Sequence, residues 1–217
     1  MVGYEIVSQQ RRFQMSKSPN PINYINNWES EIDRRSELHV AYDDKDIVKL
    51  FQSGEVLISL RGGNLYKSLG GNNNVTSLDD TKSIALKLDL GQIELGESKY
   101  LFASHCRIAN FLQPWRSTFI VNSPVIRNRR ISPKGHPGDG KFEMIEFSMS
   151  LQQSMIAYRR SKSGDHVPHP DIKISRKSNC KIKFKKKQRV SVDGKTVKFS
   201  RDFSMSVIPH AICVVLN

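Results

Sequence analysis

Apolar and polar residues change their rhythm along this chain, and the changes mark out its elements. Asp43 and Asp44 precede Ile47, Val48, Leu50 and Phe51, and Gly54 follows, which predicts an N-capped short helix stopped by glycine. Glu55 to Leu60 reads as a buried strand, and Arg61 to Gly71 as a glycine turn leading into a second short helix. Ile84 to Ile93, Tyr100 to Ala103 and Trp115 to Val121 predict strands, and Phe142 to Phe147 another, with apolar residues at 142, 144, 145 and 147. Leu151 to Arg160, apolar at 151, 155, 156 and 158, predicts the one clear helix of the later half. From Ile172 the rhythm is alternation: Ile172–Ile174, Ile182–Phe184 and Val190–Val192 are strands with one apolar and one lysine-bearing face. Toward the N-terminus, Tyr4, Ile6 and Phe13 suit a short hairpin, Ser16 to Asn27 a loop, and Trp28 a packing contact.

Ile131 to Met144 stands out within this pattern. Pro133 and Pro137 fix φ and remove backbone donors, and Asp139 lies between Gly138 and Gly140 just before a strand. A carboxylate held there can cap a turn or ligate a cation.

Charge narrows the partners. The 217 residues carry 34 lysines and arginines against 21 acidic residues, a formal net charge of +13, which favours anionic partners. The faces bearing Lys181, Lys183 and Lys185 are either solvated edges that resist aggregation or an anion-binding patch. No aromatic platform for single-stranded nucleic acid is interleaved with them, which turns the reading toward phospholipid headgroups and away from RNA or DNA. Cys106, Cys180 and Cys213 are too far apart in sequence to suggest a disulfide framework or a zinc ribbon, and read as reduced thiols. No apolar run is long enough for a transmembrane helix, and the N-terminus lacks a signal-peptide layout. These features predict a cytoplasmic protein able to visit the membrane as a peripheral one.

Several short motifs then fall into a recognisable order. Asn122-Ser-Pro-Val, Ile131-Ser-Pro, Gly138-Asp-Gly-Lys-Phe-Glu143, Gly164-Asp-His-Val-Pro-His-Pro170, Val190-Ser-Val-Asp-Gly-Lys195 and Val207-Ile-Pro-His-Ala211 resemble the second domain of bacterial diacylglycerol kinases and YegS-type lipid kinases. Leu88-Asp-Leu-Gly91 resembles the opening hairpin of that domain. The resemblance implies a mainly β (α+β) fold: an antiparallel β-sandwich over residues 81–217, preceded over residues 1–80 by a remnant of an α/β nucleotide-binding domain.

The resemblance also implies sites. Asp193 matches the aspartate of the family's Asp-Gly-Glu and is a candidate general base for a lipid hydroxyl. Asp-Gly between alternating strands is equally a hairpin turn. Lys195 replaces the glutamate. Asp139, with the carbonyls of His136 and Lys141, matches a structural magnesium site, and oxygen ligands suit Mg²⁺. Gly62, Gly63, Asn64 and Lys67 fall on the family's phosphate-facing turn, where a helix N-terminus offers free N–H groups. Asn64 stands where the family has aspartate. No Gly-Gly-Asp-Gly loop is present, and the matching part begins near Leu57. The implied function is that of a lipid-kinase-like protein whose ATP site, if it has one, is completed by a second protein chain. The alternative is a catalytically silent binding module for anionic phospholipid or a protein partner. His105, His166 and His169 read as hydrogen-bonded loop histidines rather than zinc ligands.

Overall fold

The computed structural model describes residues 29–33, 38–71 and 82–216. The expected N-terminal hairpin, the Ser16–Asn27 loop and the packing of Trp28 lie outside the described residues. In chain order the elements are β1 (Glu29–Asp33), β2 (His39–Ala41), α1 (Asp44–Gln52), β3 (Leu57–Leu60), α2 (Gly63–Ser68), β4 (Lys82–Leu95), β5 (Ser98–Phe102) and β6 (His105–Ala109). They continue with β7 (Ser117–Val121), β8 (Val125–Ile126), β9 (Arg129–Arg130), β10 (Phe142–Phe147), α3 (Leu151–Arg160), β11 (Ile172–Lys177), β12 (Asn179–Val192) and β13 (Lys195–Leu216).

The fold is mainly β, with strands in one mixed sheet ordered β1-β4-β13-β12-β6-β7-β10-β11, and β5 on β4. Most pairs are antiparallel. The exceptions carry the α/β character expected of the N-terminal part: β2 runs parallel to β3, and β3 parallel to β13. Parallel neighbours need a crossover, and α1 supplies the one between β2 and β3. Because β3 joins β13, strands from both sides of residue 80 share this sheet.

The helix ends follow their sequence signals. Asp43 caps α1 by accepting from the amides of Lys45 and Asp46. A capping box between Ser150 and Gln153 starts α3. The strands at the C-terminal end are longer than the sequence pattern indicates. Val190–Val192 and Ile182–Phe184 belong to one strand, β12, whose register shifts between Lys183 and Gln188. The closing strand begins at Lys195 rather than near Val207, and its pairing with β4 is interrupted between Ile208 and Ile212. Pro209 lies in that interruption and lacks an N–H to give the ladder, which hides the strand's continuity from an alternation argument.

Three apolar clusters fill the interior. One packs α1 and α2 on β3, β4 and β13 around Ile47, Leu65, Leu88 and Val214. A second centres on Phe102, Ile108, Phe142 and Val190. The third, built on Ile145, Met149, Ala157 and Ile172, lies beneath α3.

Candidate functional site

The glycine turn before α2 is held by a carboxylate. Asp44 reaches from α1 and accepts from the amides of Asn64 and Leu65 at 3.0 Å and from Asn64 Nδ2 at 2.8 Å. Those are the helix-end N–H groups the sequence offers to a phosphate, so they are not free as expected: Asp44 already provides the negative charge that such a helix end attracts. Burial raises the Asp44 pKa, against the lowering effect of these hydrogen bonds. The glycines answer to this packing. A side chain at Gly62 would meet the Tyr42 carbonyl, and one at Gly63, where φ is +94°, would meet Asp44. Lys67 donates to Asn128 Oδ1 at 2.7 Å. The Asn64 and Leu65 donors are thus directed inward, to Asp44, rather than toward a nucleotide phosphate, while Lys67 stays at the surface.

The turn at 138–140 has the same construction. Asp89, buried in β4, accepts from Gly140 N at 2.6 Å and from His210 N at 2.8 Å, and its own N–H donates to the Pro137 carbonyl. A side chain at Gly138 would come within 2.6 Å of the Lys87 carbonyl. Asp139 forms an ion pair with Arg176 and accepts from Lys141 N at 3.0 Å, while His136 Nδ1 accepts from Gly138 N. Magnesium here would compete with a guanidinium for its one carboxylate. The residues as arranged therefore do not fit a resident dication, and no chemistry below depends on one. Among the described residues no cluster of three or more His, Cys, Asp or Glu side chains is placed to hold a metal.

Asp193 and Gly194 form the tight turn between β12 and β13, both with positive φ. The Asp193 side chain turns into the protein and accepts from the amides of Ala103, Ser104 and His105 at 2.8–2.9 Å. Burial outweighs these donors, and with the Asp44 charge nearby pushes its pKa up to about 7. His105 Nδ1 lies 3.9 Å from Asp193 Oδ1 and 3.1 Å from Ser104 Oγ. Burial, together with the charges of Arg127 and Arg107, brings the His105 pKa down to about 4, so its imidazole is neutral near pH 7.

The sequence-predicted residues thus form two groups. Asn64 Oδ1 accepts from Arg127 N at 2.8 Å, and the Arg127 guanidinium lies beside Gly194, so the 62–67 turn, the β8–β9 hairpin and the Asp193 turn meet. His136, Asp139 and Lys141 lie apart from them, against Asp89 and Arg176. Lys181, Lys183 and Lys185 are exposed on the part of β12 beyond its pairing with β6, as expected of a solvated lysine face, and Lys183 lies 3.6 Å from Asp202. Cys106 is buried, Cys180 and Cys213 are half-buried, and all three are free thiols. His169 accepts from Asp171 N, but neither ring nitrogen of His166 makes a hydrogen bond of normal geometry, contrary to expectation.

Sequence reasoning missed one concave feature altogether. A cavity of about 730 Å³ opens between α3, β7, β10 and the β8–β9 hairpin, within the roughly 300–1,000 Å³ typical of small-molecule sites. One wall is apolar: Phe119, Phe147, Met149 and Met155 line it. Arg107, Arg127, Arg129 and Arg189 also line the cavity, Arg107 lying over the Phe119 ring, with His105 stacked on Phe119 and His166 on Phe147. Arg107 Nε is buried without a hydrogen-bond partner among the described residues, an unusual state for an interior polar atom, while Arg107 Nη2 donates to the Pro114 carbonyl; the buried His166 nitrogens lie near the Ile131 and Gly164 carbonyls without a hydrogen bond of normal geometry. Burial lowers the His166 pKa, offset in part by the Ile131 and Gly164 carbonyls. Over the cavity α3 is thinly packed, with Ala157 its buried residue. Arg129 helps to fix it, stacking on the Tyr158 ring 3.5 Å from its centroid and donating to the Tyr158 carbonyl.

No family model matches the sequence, and no curated protein matches it. Solved structures do. "A putative diacylglycerol kinase from Bacillus anthracis str. Sterne" superposes with a TM-score of 0.58 at 9% identity, covering 84% of this chain and 79% of that one. A second structure, of diacylglycerol kinases from the same strain, gives 0.57 at 9% identity over 85% and 78%. A third, "Crystal structure of a putative diacylglycerol kinase from Bacillus anthracis str. Sterne", gives 0.51 at 9% identity over 74% and 69%. With so little identity the likeness concerns the fold: this chain has the fold of diacylglycerol-kinase-like lipid kinases.

Proposed function

We propose that this chain is a lipid-kinase-like protein that binds an anionic amphiphile, a single phospholipid or its lyso form, and does not transfer phosphate alone. The observation that carries this reading is the cavity, whose lining combines apolar and aromatic side chains with several arginines, Arg127 and Arg189 lying near enough to Arg107 to act on its charge. The apolar side suits acyl carbons. Arg107, Arg127 and Arg189 suit a phosphate, which guanidinium groups bind through paired N–H donors. Neutral His105 can accept a hydrogen bond from a glycerol hydroxyl. The inward-directed glycine turn supports the second half of the reading, because phosphoryl transfer depends on a cradle that positions the nucleotide. The division into residues 1–80 and 81–217, with work at the cytoplasmic face of a membrane, belongs to the same proposal.

Thermal unfolding with dihexanoyl phosphatidic acid tests the binding half: a ligand that binds only the native state raises Tm. We expect a rise with the phosphatidic acid and a smaller one with dihexanoylglycerol. No rise with either overturns the reading. A second reading, an enzyme completed by another chain that brings ATP, is favoured by Asp193 and His105, a buried acid–base pair at the cavity's edge. Incubation with labelled ATP, Mg²⁺ and diacylglycerol should give no product from this chain alone. Product that vanishes in Asp193→Asn overturns the inactivity claim. Product only after adding a second protein favours the split enzyme.

A further inference from the structure

Helix α3 carries its apolar residues outward. Leu151, Met155, Ile156 and Tyr158 are 51–61% exposed. Phe111 and Leu112, in the loop between β6 and β7, are 68% and 79% exposed. Six large apolar side chains in solvent call for a partner. The two elements border one opening, since Leu151 and Met155 line the cavity from α3, and Pro114 and Trp115 line it from the loop. Neither α3 nor residues 110–116 contain an acidic residue. Basic residues lie around them: Arg116 in the loop, Arg159 and Arg160 at the end of α3, Arg130 in β9, and Lys162.

We propose that this rim, rather than the Lys181–Lys185 face, docks the protein on an anionic bilayer, with Leu112 and Ile156 entering the headgroup–acyl boundary. The proposal rests on the reading that the cavity takes a lipid, and it adds how a lipid reaches it. Charge complementarity identifies the occupant: an apolar centre and a basic surround, in which Asp165 just past α3 is outnumbered by Arg116, Arg130, Arg159, Arg160 and Lys162, match an anionic interface. Position supports it, because a lipid leaving the bilayer at this rim meets the cavity mouth directly. The weak packing of α3 suits a cover that shifts to admit it.

The test is co-sedimentation of the full chain with phosphatidylcholine vesicles, with and without phosphatidylserine. Wild type should bind only the anionic vesicles, more weakly as salt rises. Leu112→Asp with Ile156→Asp exchanges two exposed apolar contacts for charges, which should weaken vesicle binding by about 10- to 100-fold. Both positions are exposed, so Tm should hold. Stabilisation by dihexanoyl phosphatidic acid should also persist, because that ligand enters the cavity without a bilayer. Vesicle binding unchanged in this variant, or lost only in Lys183→Glu with Lys185→Glu, overturns the proposal. So does an absence of vesicle binding by wild type, and if dihexanoyl phosphatidic acid still raises Tm in that case, the cavity reading survives. A dimer that the double variant dissolves, with vesicle binding unaltered, assigns the rim to a second copy of the chain and overturns it too.

Discussion

The glycine turn at Gly62–Asn64 and the cavity beneath α3 are opposites. The turn has every outward mark of a ligand site, yet its donors are taken: Asp44 fills the helix end, and Asn128 takes Lys67. The cavity has no motif, yet among the described residues it leaves Arg107 Nε buried and unpartnered and the His166 ring without a hydrogen bond of normal geometry. A binding site must keep its polar groups available, since a donor already satisfied by the protein gains little from a ligand. By that standard the turn is architecture and the cavity is where this chain can hold something.

The sharpest way to break the contrast is at Asp44. Asp44→Ala strands two backbone amides and the Asn64 amide, at about 1–3 kcal/mol for each buried donor left unmade. We expect a loss of about 3 kcal/mol or more in denaturant unfolding, with Asp44→Asn less severe because it keeps an acceptor. A change under about 0.5 kcal/mol, the range of ordinary surface substitutions, would mean the turn does not depend on Asp44 and stands open to a ligand.

The next effect is in pH. Asp193, raised to about 7, stays protonated in the native state while its unfolded counterpart ionises, so its contribution to stability falls as pH rises from about 4 to 7. His105, lowered to about 4, stays neutral while unfolded histidine protonates, so its contribution is lost as pH falls from 6.5 toward 4. The slopes oppose each other at about 1.4 kcal/mol per pH unit. Across the shared window the native pair holds one proton, as the unfolded pair does, so the wild type should show no slope from this pair. Asp193→Asn should make stability climb with pH between 4 and 6.5, and His105→Gln should make it fall, both read from Tm. The same flat profile in both variants would mean that neither group is shifted.

Smaller effects test the two sequence-derived sites that stand apart from the cavity. Lys183→Glu with Lys185→Glu should lower affinity for anionic vesicles less than the Leu112 and Ile156 changes do, since a charge contributes about 1 kcal/mol only when it lies near the anionic surface, and on this account the rim, not the lysine face, does. Millimolar magnesium should leave Tm the same in wild type and Asp139→Asn, because Arg176 already neutralises that carboxylate. A rise confined to the wild type would restore a cation site there.

Much of the fold was legible in the sequence. Asp43 and Gly54 bound α1, Leu151–Arg160 is α3, and Asp193-Gly194 is the predicted hairpin turn. These are local signals, made by caps, periodicity and turn chemistry. The partners of the buried carboxylates were not legible, because Asp44 and Asn64, or Asp193 and Ser104, meet only through the sheet. One hint was available at Asp43-Asp44: a helix start needs one capping carboxylate, and the second was left to reach elsewhere. The cavity gave no such hint. Its wall is assembled from β7, β10 and α3, and its arginines are scattered from 107 to 189. The apolar positions of α3 predicted the helix, but their exposure depends on what the sheet leaves uncovered.

The central claim is that the cavity, with its arginines, binds an anionic amphiphile. Calorimetric titration with dihexanoyl phosphatidic acid, below its micelle concentration, tests it most directly in wild type and in Arg127→Gln with Arg189→Gln. The account predicts one site in the wild type and about 10- to 100-fold weaker binding in the variant, the scale of lost charge-assisted hydrogen bonds, with Tm in the absence of lipid unchanged. No heat of binding in the wild type, or equal affinity in the two proteins, would contradict it.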